Sequence, residues 1–265
     1  MLSQDQIKDL IQKVAANDIE NDKKQRDYTY TERDVENTLD GNGQTKSVET
    51  KTYEVLNIYG DSVQRLIEKN DKPLSAKDSA KEEEKIQKTI DKREKESDKD
   101  REKRAKKEEK DREEDRQFER EIADAYNFTL LGSELVGGRE TWAIQAEPRP
   151  GFVPHMKYAN YLPKFHGRMW IDKADLQLAK LDVECLDTVS WGGFLARFHR
   201  GSHFMMEQTR VNDEVWLPRQ LDFKVDVRLA LLKTFRVNEE QTFRAYKKFR
   251  TDAKIVGIGK IQTEK

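Results

Sequence analysis

Apolar residues fall at every second position through residues 167–185, GRMWIDKADLQLAKLDVEC, and no other feature limits the possible folds as much. Met169 and Ile171 lie on one side of a strand, with Arg168, Trp170 and Asp172 on the other. Lys173, Ala174 and Asp175 make a turn, and the chain returns through 176–185. In that return Ala179, Leu181, Val183 and Cys185 share one face, while Lys180, Asp182 and Glu184 share the other. A period of two means a strand with one wet and one dry side. The plan recurs at 202–227, where Asn212-Asp213 makes the turn and Leu221, Phe223, Val225 and Val227 alternate with charged residues. One more long strand fits 229–246.

The first half follows suit. Residues 26–38 are rich in Tyr, Thr and Val, and residues 40–43, Asp-Gly-Asn-Gly, accept the positive φ of a hairpin turn. Partner strands are expected at 46–59 and 63–68, and a further hairpin at 127–147 turns on Gly137-Gly138. Ahead of them, residues 3–19 read as an amphipathic helix with Ser3 and Gln6 as a capping box and Ile7, Leu10, Ile11 and Val14 as its apolar stripe. About ten strands joined by turns, with no βαβ crossover, exclude a doubly wound fold. A sheet this large curls. The expectation is an α+β fold: a large curled antiparallel sheet, or half-open β-barrel, with an N-terminal helix.

Charged residues make up 38% of the chain, yet 50 basic against 51 acidic residues leave a formal net charge of −1. Neither a nucleic acid nor an anionic membrane is favoured by such a balance. The excess sits in 75–123, where Ala105 is the one apolar residue between Asp91 and Gln117. Pairs such as Glu84–Lys88 and Glu102–Lys106 stand four apart in the favourable acid-then-base order. One helix through this segment would reach roughly 70 Å. It is either a solvated insertion or an arm for a protein partner, and its mixed signs exclude a nucleic-acid arm. The domain reading is one β domain over 1–250, interrupted by the helical insertion 75–123, with 251–265 a loosely held tail.

Catalytic signatures are absent. The chain holds no GxGxxG, GxxxxGK[ST], GxSxG or HExxH, and its single cysteine, Cys185, excludes both a zinc thiolate pair and an internal disulfide. His199 and His203 stand four apart, but Gly201 lies between them, so one helix face does not present both. No catalytic residue, metal site or cofactor is expected. No apolar run reaches the length of a transmembrane helix. Two apolar loops stand out. One holds Phe152, Met156, Tyr158 and Tyr161 and either folds over a sheet edge or closes a pocket. The other, a short helical turn with Trp191, Phe194, Leu195 and Phe198, either plugs the open end of the sheet or touches a lipid surface or partner.

Three stretches, LLGSELVGGRETWAIQAEPRPG (130–151), GRMWIDKADLQLAKLDVE (167–184) and MMEQTRVNDEVWLPRQL (205–221), resemble the lipoprotein-localisation factor superfamily and outer-membrane lipoprotein-sorting proteins. The resemblance implies a half-open barrel that holds acyl chains in the periplasm. Met1 is followed at once by polar residues, so that location supposes an export signal already removed. The functional expectation is a non-enzymatic envelope protein that binds a lipid or lipidated protein, lined by Met169, Ile171, Leu181, Val183, Leu221, Phe223 and Val225. Two alternatives stay open: a scaffold that meets its partner through 75–123, and a hydrolase with an unrecognised site.

Overall fold

The computed structural model describes residues 3–59, 61–191, 196–229, 233–248, 253–257 and 260–263. Helix α1 (Gln4–Gln25) leads into strands β1 (Tyr28–Leu39), β2 (Thr45–Ile58), β3 (Asp61–Lys69) and the two-residue β4 (Lys72–Pro73). Helices α2 (Ala76–Glu94) and α3 (Asp98–Ala125) follow, then β5 (Tyr126–Val136), β6 (Arg139–Pro148), a 3-10 helix (Lys157–Lys164), β7 (Phe165–Asp172) and β8 (Leu178–Cys185). The chain continues through β9 (Val189–Trp191), β10 (Ala196–Phe198), β11 (His203–Val211), β12 (Val215–Leu229) and β13 (Lys233–Lys248). A separate hairpin, β14 (Ala253–Gly257) and β15 (Lys260–Thr263), comes last.

Local chemistry accounts for the element ends. At α1 the capping box is complete: Ser3 Oγ accepts from Gln6 N at 3.2 Å and Gln6 Oε1 accepts from Ser3 N at 2.8 Å. Asn212 and Asp213 take φ of 51° and 57°, the left-handed region that asparagine and aspartate tolerate, in the turn between the paired Val211 and Val215. At Gly167 a side chain would stand 2.6 Å from the Asp182 carbonyl oxygen, so β7 and β8 approach there only because the residue is glycine.

The main sheet has thirteen strands, more than the ten expected, and stays open rather than closing into a barrel. Its path runs β4-β3-β2-β1-β13-β12-β11-β8-β7-β6-β5, every pairing antiparallel. The N-terminal meander builds one edge, and β5 starts again at the opposite edge. From there the chain walks back until β13 slots between β12 and β1. Helices α2 and α3 carry the chain between the two edges. The nine strand spacings from β3 to β5 measure roughly 43 Å along the sheet, and α3, with 28 residues, is about 42 Å long. A curled sheet has a shorter chord than contour, so one straight helix is enough to bridge it.

The charged insertion is two helices and not the single long helix expected. Ser97 stops one and starts the other: its Oγ accepts from Asp100 N at 3.2 Å, as an N-cap does. Glu96 holds the corner, accepting from Arg104 Nη2 at 2.9 Å and from Arg93 Nη1 at 3.2 Å. A second correction concerns 191–198. Ala196 pairs with Trp191 and Phe198 with Val189, so both flanks of the expected helical turn are antiparallel strands, while 192–195 lie outside the described residues. Strand propensity of the Val-Ser-Trp and Ala-Arg-Phe runs, reinforced by pairing of β10 to β12, wins over the helical spacing of the aromatics. The described backbone of the tail pairs as β14–β15.

The largest core lies between α1 and one half of the sheet. Ile7, Leu10 and Val14 bury against Phe128, Ile144 and Ile171, with Phe118 and Ile122 of α3 and Phe152 and Met156 of the 149–156 loop packed around them. Two smaller clusters sit elsewhere, Tyr28 with Val215 and Leu217, and Ile58 with Ile86 and Ile90 of α2.

Candidate functional site

Strand register determines which side chains share a face, because directly paired residues point the same way. One row of pairs runs Ile144, Met169, Leu181, Met206, Leu221 across five neighbouring strands. The next runs Ala146, Gly167, Val183, Phe204, Phe223. Val225 and Val227 continue β12 on this side, and Val225 pairs with Val237 of β13. All seven predicted lining residues therefore stand on one face of the sheet.

Their burial divides them. Ile171 is fully buried, and Met169 packs beside it under α1. Leu181, Val183, Leu221, Phe223 and Val225 are half-buried and belong to none of the three buried apolar clusters. The path of α1 explains the split. Its first turn is tied to β5, where Phe128 N donates to Gln4 Oε1 at 3.2 Å. Farther along, Asn17 Nδ2 donates to the Leu176 carbonyl at 3.1 Å. Near its end Asn21 bonds both ways with the Trp216 backbone, each at 2.8 Å. The helix thus lies diagonally, from the start of β5 to the β11–β12 turn. Rows behind the diagonal are covered, and rows ahead of it are left half-open.

The uncovered rows end in an open depression of about 500 Å3. Phe223, Val225, Val227 and Val237 line it with Glu36, Glu239 and Gln241. The Phe204 and Phe223 rings lie 5.1 Å apart in a tilted pair across β11 and β12. Beyond β13 the same face turns acidic: Glu36 pairs with Glu239, and Asp34 with Gln241. Burial raises the Asp34 carboxyl to about 7, with Glu32 and Glu239 pushing the same way. Glu49, held by Lys51 and Lys69, falls to about 2. An apolar floor with a carboxylate border suits a greasy chain.

Of the predicted loop residues, Phe152 and Met156 pack on the core beneath the 3-10 helix, where Glu121 Oε1 accepts from His155 N at 2.7 Å and from Met156 N at 2.8 Å. The 149–164 segment thus adds Phe152, Met156, Ala159 and Leu162 to the main core. Tyr158 is exposed, and Tyr161 Oη donates to the Ser190 carbonyl at 3.3 Å. Phe198 is half-buried, Phe194 and Leu195 lie outside the described residues, and only the backbone of Trp191 is described. His199 and His203 go to different carboxylates, His203 Nε2 to Asp182 at 2.8 Å and His199 Nε2 to Asp226 at 4.0 Å.

Alternation put Val227 on the apolar face without naming it as a lining residue, and sequence reasoning missed Phe204, Met206 and Val237 as members of the face. The signal was present: Phe204 and Met206 alternate, but Met205 between them masks the period. It also missed the tie at the hairpin tips. Asp172, assigned to the wet side, is 1% exposed, and Arg139 grips it at 2.7 and 2.9 Å. Burial pushes the Asp172 carboxyl up, but Arg139 and the N–H groups of Ala174 and Asp175 outweigh it and hold it below the usual range. Arg139 also reaches Asp175, which accepts from Trp216 Nε1 at 3.0 Å and pairs with Arg210 at 3.0 Å. Three hairpin tips are locked together in this way.

No family model and no curated protein matches the chain. Among solved structures it is similar to a domain from Vibrio parahaemolyticus named for outer membrane lipoprotein sorting, at 13% identity and a TM-score of 0.35, covering 91% of this chain and 94% of that one. A LolA superfamily protein from Nitrosomonas europaea matches at 9% identity and a TM-score of 0.32, covering 89% and 93%. The MucA/MucB complex from Pseudomonas aeruginosa matches at 10% identity and a TM-score of 0.25, covering 90% and 100%. The likeness is one of outline.

Proposed function

We propose that this chain is a non-enzymatic binding protein of the cell envelope that takes a lipid acyl chain, or the acyl chain of a lipidated protein, on the uncovered rows of its sheet. One observation carries the reading: Leu181, Val183, Leu221, Phe223 and Val225 share a face with the buried core yet stay half-open in front of α1. Leaving that much aliphatic and aromatic surface wet costs about 25 cal/mol per Å2, which an acyl chain lying along the rows recovers. No helix of the described residues is long and apolar enough to cross a bilayer. The envelope placement rests on the resemblance of 130–151, 167–184 and 205–221. Titration with the fluorescent fatty acid cis-parinaric acid tests the proposal. Saturable binding that weakens at least tenfold in Val225→Asp, with the melting temperature little changed, supports it. Absence of binding, or equal binding by the variant, refutes it.

A further inference from the structure

The sheet face has a second recess, about 400 Å3, under the charged helix. Tyr30, Leu56, Leu217, Asp22 and Arg26 line it together with Glu108 of α3. The middle of α3 therefore lies over the sheet and is not a free arm. Both of its ends are anchored. At the β5 end Phe118 and Ile122 pack into the main core. At the other end Arg104 grips Glu96 and Arg93 Nε donates to Asp61 of β3 at 2.6 Å.

Between the anchors α3 runs antiparallel to α1, and the contact changes character along its length. Lys8 meets Asp124 at 3.6 Å, an attractive pair near the apolar anchor. Farther on, where α1 and α3 pack together, Asp18 and Asp22 of α1 come within repulsive range of Glu119 and Asp115 of α3. The charged groups facing this stretch are Arg26 on α1 and Arg116 on α3, and Arg116 is committed to Glu109 and Glu113 of its own helix. Glu108 and Asp61 stand beyond, among the residues that line the recess. Four carboxylates at a helix–helix contact repel when ionised and accept hydrogen bonds or pack quietly when protonated.

We infer that α3 is a strap that seats on α1 in mild acid and loosens between its two anchors as the pH rises, opening the recess beneath it. Asp18 is the half-buried member of the α1 pair and is raised to about 6, first by burial and then by Asp22. Glu119 is raised by burial, then by Asp18, Asp115 and Asp22. For groups raised in the seated state, the stabilisation is full below the ordinary carboxylate range and fades as pH climbs through about 6. The inference does not depend on whether the sheet binds acyl chains, and its test uses no ligand.

Hydrogen exchange read by mass spectrometry, corrected for the intrinsic pH dependence of exchange, checks it on the intact chain. Peptides from 104–117 should be at least tenfold better protected at pH 5 than at pH 7.5. Asp18→Asn, a change on the other helix, should bring the pH 7.5 protection of those peptides up towards the acid value, and Glu119→Gln should do the same. The exposed Asp22→Lys should seat the strap at both pH values by supplying a cation opposite Asp115. Circular dichroism melting confirms that each variant is folded. Equal protection at both pH values, or 104–117 peptides that ignore Asp18→Asn, would overturn the inference, since fraying of an isolated helix responds to neither.

Discussion

Two halves of one sheet face carry the same alternation and end differently. On β5–β7 the apolar positions meet α1, and Phe128, Ile144 and Ile171 are fully buried. On β8 and β11–β13 the equivalent positions, Leu181, Phe204, Phe223 and Val225, join none of the buried clusters of the described residues and stay half-open. Composition does not separate the halves. The diagonal path of α1 does, and that path is set by three polar ties, at Gln4, Asn17 and Asn21. An apolar strand face thus records a surface that must be covered, without saying whether the chain or a ligand covers it.

The comparison breaks most sharply on truncation. Phe128→Ala in the covered half should cost roughly 3–5 kcal/mol by chemical denaturation, whereas Phe223→Ala in the open half should cost about 1 kcal/mol or less, because its ring is already wet. Equal losses would mean that the open half is packed after all. Next in size is the tie between the hairpin tips. Asp172→Asn leaves Arg139 without its buried partner and should cost roughly 3 kcal/mol. Its carboxyl is depressed in the folded state, so the wild-type contribution is present above the ordinary carboxylate range and is lost as the pH falls below about 4; a Tm series from pH 7 to pH 3 reads it directly.

The acidic border of the open half should respond in the opposite direction. Asp34, raised to about 7, destabilises the fold more as the pH rises. Asp34→Asn should therefore stabilise the protein at pH 8 by on the order of 1 kcal/mol, allowing for solvent screening of a half-exposed group, and the gain should vanish below pH 4. The smallest change is at the helix corner: Ser97→Ala removes the cap of α3 and should cost about 1 kcal/mol, seen as faster amide exchange at 98–101.

Much of the fold was legible because its signals are local. Ser3 and Gln6, Gly137-Gly138 and Asn212-Asp213 each name their own turn or cap, and strict alternation at 167–171 and 221–227 names a face. Three things were not legible. A bulge at Ala179, where Ile171 pairs with Leu178 while Trp170 pairs with Lys180, breaks the period without a glycine or proline to mark it. The break at Ser97 was hidden by charges that favour helix on both sides of it. The burial of Asp172 needs Arg139, 33 residues away, and no periodicity reports a partner that far off. For the site, alternation put the lining residues on one side, but whether α1 covered them depended on where its polar side chains found carbonyls.

The account stands on the open rows being where an apolar ligand lies. Labelling with a diazirine-bearing fatty acid, followed by peptide mapping, tests this directly. The account predicts adducts on 178–185, 203–211 and 215–229, lost when Val225→Asp is labelled. Adducts spread over the outer face around His166, Arg168 and Trp170, or no specific adducts, would contradict it.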